Sequence, residues 1–333
     1  MAEAGEFQII EKFFTYQTFG AWKSQGVGDD CAIIDTGAGR IAVTCDMMAL
    51  GTHFLPEADP EDVGYKALAV NLSDLAAAGA VPRAFFLSLG LPRRDDGWLA
   101  DFSRGLMKLA RESGCALLGG DTTRTPEVQG RHAPVTISIT AMGDLPAGMG
   151  LTRKGAKPGD DIWVSGTVGD AYAALKCRWG AWSVMPDLEP ELFARMDRPT
   201  PRIALGQALL GAASAAADIS DGLLADLGHI LERSGVSAEI EWEKIPTSVA
   251  LQSMTPARQH EAALAGGDDY ELIFTAPPSS AERIYEAGLL SGTPVTRIGR
   301  VIERTSRAVT VRTPDGLPVL LVTEGFDHFR NEE

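Results

Sequence analysis

Residues 65–80 read Tyr65-Lys66-Ala67-Leu68-Ala69-Val70-Asn71-Leu72-Ser73-Asp74-Leu75-Ala76-Ala77-Ala78-Gly79-Ala80. The run is apolar and rich in small residues, so it reads as a closely packed helix from Pro60 to Ala78. Asp59 is its N-cap, Pro60 its first turn and Gly79 its stop. A charge in such a helix is costly unless paired or metal-bound, which makes Asp74 a candidate metal ligand. The competing reading is a structural acid held by hydrogen bonds. Asn71, three residues earlier, lies on the same face.

Outward from this helix, strand-like runs alternate with helical ones, the pattern of α/β or α+β layers. Strands are expected near 31–35, 40–45, 84–91, 115–119 and 134–142, and a helix from Asp95 to Ser113 ended by Gly114. The composition breaks at Gly143-Asp144-Leu145-Pro146-Ala147-Gly148-Met149-Gly150, the best candidate linker. Beyond it, helices are expected near 169–178, 201–214 and Asp221–Arg233. Strands are expected over Asp161–Ser165 and near 237–241, 271–275, 295–301, 308–312 and 318–322. A length of 333 residues suits two domains, divided as 1–146 and 147–333, with a cleft between them.

The formal charge of -15 repels nucleic acid and anionic membranes, so an anionic substrate must be met by local cations. The start, Met1 to Phe14, carries acids where a secretory leader carries bases, and no apolar run of about 18 residues follows. The chain therefore reads as cytoplasmic. Cys31, Cys45, Cys115 and Cys177 are widely separated, with no zinc-like spacing, and are expected to be reduced and mostly buried.

The placement of the acids is the chemical signal. They recur beside glycine or at strand-to-helix corners: Asp29-Asp30, Asp46, Asp74, Asp121, Asp218 with Asp221, and Asp268-Asp269. Any single Gly-Asp pair is ordinary turn chemistry; the number of them, together with Asp74, is not. Asp46 and Asp121 follow apolar strands and are expected at strand C-terminal ends, where open α/β sheets present their sites. Gathered carboxylates repel by roughly 4 kcal/mol per pair at 4 Å and an effective dielectric of 20, so they need cations. Magnesium suits them, because it takes few carboxylates and completes its shell with water and phosphate oxygens.

No phosphate-binding P-loop, dinucleotide fingerprint, G-x-S-x-G or H-E-x-x-H occurs. The segment from Leu151 to Asp160 brings Arg153, Lys154 and Lys157 beside a turn, suitable for phosphate oxygens. The run from Val164 to Ala171 gives a strand, a glycine corner and a helix start whose N–H groups could hold an anion. His53, just after the Asp46 corner, could touch substrate.

Six stretches, in order, resemble the thiamine-monophosphate kinase family. They are Gly26 to Ile34, Tyr65 to Ala80, Gly119 to Arg124, Leu151 to Asp160, Asp218 to Leu223 and Gly266 to Leu272, with Gly325-Phe326-Asp327-His328-Phe329 following near the end. The sequence differs from the commoner pattern at Cys45, where a hydroxyl residue is more usual, and at Asp268, where Glu is more usual. The resemblance implies a two-domain synthetase-like fold: an N-terminal mixed sheet that binds ATP and metal and dimerises through its sheet, then a C-terminal α/β domain. It implies that Asp30, Thr44, Cys45, Asp46, Asp74, Asp121, Asp218 and Asp221 form the Mg2+ site, Thr44 and Cys45 through main-chain oxygen. Gly120, Asp121, Arg153 and Ser220 would touch ATP, and His53, Asp268 and Phe326 the thiamine monophosphate, with Asp121, Arg153 and Asp221 catalytic. The implied reaction is in-line transfer from ATP to thiamine monophosphate, giving thiamine diphosphate. Two alternatives use the same acids: a purine-precursor cyclo-ligase of the same superfamily, and a non-catalytic acidic metal-binding protein.

Overall fold

The computed structural model describes residues 24–25, 29–36, 39–317 and 319. Its first half is a six-stranded mixed sheet built from β1 (Ser24–Gln25), β2 (Ala32–Asp35), β3 (Arg40–Ala49), β4 (Val81–Leu91), β5 (Ala116–Arg124) and β8 (Thr136–Leu145). The strand order is β1-β2-β3-β8-β4-β5. Helix α1 (Pro60–Ala77) follows β3, and α2 (Asp96–Ser113) carries the chain from β4 to its parallel neighbour β5. Short strands β6 (Glu127–Val128) and β7 (Arg131–His132) form a separate hairpin.

Helix ends follow the expected local chemistry. The Asp59 carboxylate accepts from Glu61 N at 2.8 Å, and the Asp95 carboxylate accepts from Trp98 N at 3.1 Å. Gly114, at φ 66°, closes α2. Helix α1 is buried on nearly every side because it packs on the sheet, on α2 and on the second half of the chain.

The second half is another six-stranded sheet, made of β9 (Asp161–Ser165), β10 (Ala215–Asp218), β11 (Ser237–Glu241), β12 (Leu272–Ala276), β13 (Val295–Ile302) and β14 (Val309–Arg312). Its order is β10-β12-β9-β13-β11-β14. Among the described residues, seven α-helices accompany it: α3 (Asp170–Arg178), α4 (Glu189–Asp197), α5 (Ile203–Leu209), α6 (Leu223–Ser234), α7 (Val249–Gln252), α8 (Pro256–Ala265) and α9 (Ala281–Ser291). No helix among the described residues is long and apolar enough to cross a membrane.

Several expectations change. Strand β8 runs to Leu145, so the break in the chain begins at Pro146 rather than at Gly143. Strands β3 and β5 are longer than expected, so Asp46 and Asp121 lie inside strands and not at their ends. Ten-residue pairing of β3 with β8, from Arg40↔Leu145 to Ala49↔Thr136, carries β3 past Asp46. The helix expected over 201–214 shrinks to α5, and β10 follows it. The expected strand at 318–322 lies largely outside the described residues.

Candidate active site

The acids meet where α1 passes between the two sheets. Carboxylate oxygens of Asp30, Asp74 and Asp218 lie within 4.8 Å of one another. Asp30 stands just ahead of β2, Asp74 comes from the last turns of α1, and Asp218 ends β10. Three chain segments far apart in sequence thus supply one oxygen-rich group. Two hydroxyls brace it: the Thr44 hydroxyl donates to Asp74 Oδ2, and Ser73 Oγ donates to Asp218 Oδ2 at 2.7 Å. On the other side Arg153 pairs with Asp30, while its backbone N–H donates to Asp29 Oδ1 at 2.8 Å.

One guanidinium does not balance this charge. Burial, with the neighbouring Asp46, Asp218 and Asp30, holds the Asp74 carboxyl well above the usual carboxylate range. Asp218 is 2% exposed and is pushed up to about 8, chiefly by burial and then by Asp30, against the pull of Ser73 and Arg153. Asp30 is raised by burial despite Arg153. Crowded, all-oxygen carboxylates that resist ionisation are the donor set that a hard divalent cation such as Mg2+ relieves.

A second group adjoins the first. The Asp226 carboxylate, fully buried in the first turn of α6, gathers the N–H groups of Ser220, Asp221 and Gly222 at 3.1, 3.1 and 3.2 Å on a single oxygen. This shapes the turn that presents Ser220 and Asp221. Ligand atoms of Asp221, Asp226 and His229 lie within 4.8 Å of one another. Burial, then the field of Arg153, lowers His229 to about 4, so its imidazole is neutral at pH 7. Asp226 and His229 were not singled out from the sequence, where both look like ordinary helix residues.

The loop after α8 closes a third side. Asp268 and Tyr270 hold left-handed backbone, φ 75° and 52°. The loop is fixed by Asp268 N to Ser220 O and Tyr270 N to Ile219 O, both 2.8 Å. The Asp268 carboxylate pairs with Lys66 of α1 and accepts from Tyr270 Oη at 2.9 Å. Behind the loop, fully buried Glu271 is clasped by Arg195 at 2.6 Å, by Arg202 Nε at 2.7 Å and by Ser165 Oγ at 2.5 Å. The N–H groups of Gly169 and Ala171, in the corner that could have held an anion or been only a tight connection, receive the chain's own Asp269 carboxylate at 2.7 and 3.5 Å.

This arrangement can be set beside known proteins. Residues 28–145 match the family model described as AIR synthase related protein, N-terminal domain, and residues 157–312 match the corresponding C-terminal domain. The thiamine-monophosphate kinase of Haemophilus influenzae is 41% identical over 333 residues, covering 99% of each chain. The chain belongs to the thiamine-monophosphate kinase family. Among solved members, thiamine-monophosphate kinase from Stenotrophomonas maltophilia K279a is 40% identical with a TM-score of 0.76, over 93% of this chain and 94% of that one. AaThiL complexed with AMPPCP and TMP is 33% identical with a TM-score of 0.82, over 98% and 97%.

Against the family pattern, not every expected residue joins the group. Thr44 and Asp46 face α1, and the Asp46 N–H donates to Asn71 Oδ1 at 3.3 Å. The side chain of Cys45 alternates to the opposite face, where it meets Thr140 Oγ1 at 3.4 Å. It is exposed, contrary to the buried thiol expected, and only its main-chain oxygen could serve the acids. Asp121 lies on that same outer face: Gly120 aligns with Leu87, Ile139 and Asp46, and Asp121 with Ser88, Ser138 and Met47. Gly120, at φ 149°, tolerates no side chain, because a Cβ there would come 1.8 Å from Leu87 O. His53 closes the turn after β3, its Nδ1 accepting from Ala49 N at 3.1 Å. Phe326 lies outside the described residues.

Proposed function

We propose that this chain transfers the γ-phosphoryl group of ATP directly to the phosphate of thiamine monophosphate, giving thiamine diphosphate and ADP. The observation that carries the reading is the meeting of Asp30, Asp74 and Asp218, with Arg153 beside them, where α1 passes between the two sheets. Family membership and the AaThiL complex with AMPPCP and TMP favour the same substrates. Magnesium ions held by Asp30, Asp74, Asp218 and Asp221, with Thr44, Cys45 and Asp46 around them, would neutralise polyphosphate charge there.

The protein's own groups position and stabilise. Arg153 offers a planar cation to the transferring phosphoryl group, and the Ser220 turn, shaped by Asp226, faces ATP with it. A phosphate monoester has its second pKa near ~6, so the attacking oxygen is already ionised at pH 7 and needs no strong base. The neutral, half-buried His229 is consistent with that economy. His53, Asp268 and Phe326 are assigned to thiamine monophosphate, the Asp268 carboxylate facing its cationic thiazolium.

Asp121 and Gly120 are assigned to ATP and metal across a homodimer. The outer face of the first sheet exposes Met47 at 60%, Leu118 at 62% and Phe86 at 39%, and every residue of β5 is exposed. An apolar open sheet face of this kind is a surface for a second copy. We divide the chain at 146/147, in keeping with one sheet on each side of that point, and place it in the cytoplasm, in keeping with its unpaired cysteines.

The test follows ADP release with thiamine monophosphate present, absent or replaced by formylglycinamidine ribonucleotide, with thiamine diphosphate measured as product. Turnover only with thiamine monophosphate is expected. Turnover with the purine precursor, or magnesium binding without any turnover, overturns the reading.

A further inference from the structure

Lys66 is absorbed by none of the roles assigned so far. It sits in α1 among apolar neighbours and is only 5% exposed. Its ammonium is paired with the Asp268 carboxylate, whose side chain is 36% exposed. The two partners differ in how firmly they are held. Asp268 is fixed by its own left-handed backbone, by its N–H to Ser220 O at 2.8 Å and by Tyr270 Oη at 2.9 Å. Lys66 reaches it on a flexible four-carbon stem. Removing Lys66 from the pair leaves Asp268 in place; removing Asp268 leaves the ammonium able to turn.

The pair stands beside the metal-site acids. Tyr270, which holds Asp268, feels the charges of Asp46 and Asp218, and Ser220, which holds the Asp268 backbone, follows Asp218 by two residues. Among the described residues, Arg153 is the cation paired with those acids, and Asp30 already engages it. A dianionic acceptor entering this negative cleft needs a cation of its own. Thiamine monophosphate is itself a zwitterion, a thiazolium and a phosphate joined by a short ethyl link. An internal ion pair with one rigid and one mobile partner is its complement.

We propose that Lys66 is a specificity-determining residue of the acceptor site: the thiazolium replaces Lys66 as the partner of Asp268, and the released ammonium binds the acceptor phosphate. This rests on the proposed function and adds to it the way the phosphorylated acceptor is told from free thiamine. No covalent step is involved; one ion pair opens and two form.

The test compares KM for thiamine monophosphate with the inhibition constant of free thiamine in wild type, Lys66→Met, Lys66→Arg and Asp268→Asn, all with Mg2+ and ATP. Loss of one charge-assisted contact should raise KM in Lys66→Met by about tenfold or more, with thiamine binding unchanged or tighter. Lys66→Arg should recover most of that loss. Asp268→Asn, which releases the ammonium, should weaken thiamine more than thiamine monophosphate. Equal weakening of both ligands in Lys66→Met, or no change in either, overturns the proposal, since a purely structural Lys66 does not discriminate between them. If Lys66→Met fails to fold by circular dichroism, Asp268→Asn decides: an unchanged ratio of the two constants overturns it. Wild type that releases no ADP with thiamine monophosphate defeats the proposed function instead, a separate result.

Discussion

Asp74 and Asp218 carry the sharpest consequences at the scale of single residues. Both are raised above the ordinary carboxylate range in the fold, by burial first and then by neighbouring acids. A raised folded-state pKa favours the protonated form, so its stabilising effect is full below the unfolded pKa of ~3.9 and is lost as pH climbs through the folded value, about 8 for Asp218. Chelator-treated protein should therefore melt at progressively lower temperature from pH 6 to pH 8.5. Added Mg2+, which needs ionised carboxylates, should raise the melting temperature more at pH 8.5 than at pH 6. Equal Mg2+ shifts at both pH values in a thermal scan would contradict this. Asp74→Asn should abolish ATP turnover with the circular dichroism spectrum intact. Asp226→Ala strands three N–H groups, one buried and two half-buried, so a stability loss of about 1–3 kcal/mol in urea titration is expected, with slowed turnover.

These residues were unequally legible. Asp30, Asp74 and Asp218 stood out because glycine corners and a small-residue helix make a solvated acid implausible there. Lys66 and Asp226 sit in helices, where Lys and Asp are common on solvated faces, and only tertiary packing turns them inward. Asp121 was read from the sequence as a site acid, but its face was not legible, because the one-residue alternation of β5 is set by its register with β4.

Individual elements tell a similar story. The N-cap of α1 and the stop of α2 were readable because Asp59 and Gly114 act on their own neighbours, while Asp95, read as the first residue of α2, proves to be its N-cap. Strand β10 was not, since Ala215-Ala216-Ala217 has the highest helix propensity available and becomes extended only by pairing with β12. Helices α4, α8 and α9 carry short patterns that propensity alone did not separate from loop. The seat of α5 on α1 depends on Gly206, where a Cβ would come 1.9 Å from Ala76 O. Gly206→Ala must push α5 off the helix that carries Asp74, so a loss of about 1–3 kcal/mol is expected in denaturant titration, with a raised KM for ATP as the acids shift. Unchanged stability would mean that the two helices yield to each other freely.

Across the whole molecule, the two sheets and α1 account for the acids on the inner face and leave Asp121 on the outer one. Within one chain the sheet itself separates Asp121 from Asp74. If a second copy covers the face carrying Met47, Phe86 and Leu118, the Asp121 of each protomer acts at the other's site. The protein should then sediment as a dimer, and Met47→Asp, which puts a charge on that face, should yield monomer with little activity. A stricter consequence follows from pairing two inactive variants, Asp74→Asn and Asp121→Asn. In an equal mixture that is dissociated and reassociated at random, about half the dimers are mixed, and each mixed dimer has one site with both acids intact, so activity should return to about a quarter of wild type. Sites completed within a single chain would give no recovery, because every site would then lack one acid or the other. Full dimerisation without recovery would therefore keep the interface and remove Asp121 from the partner's site.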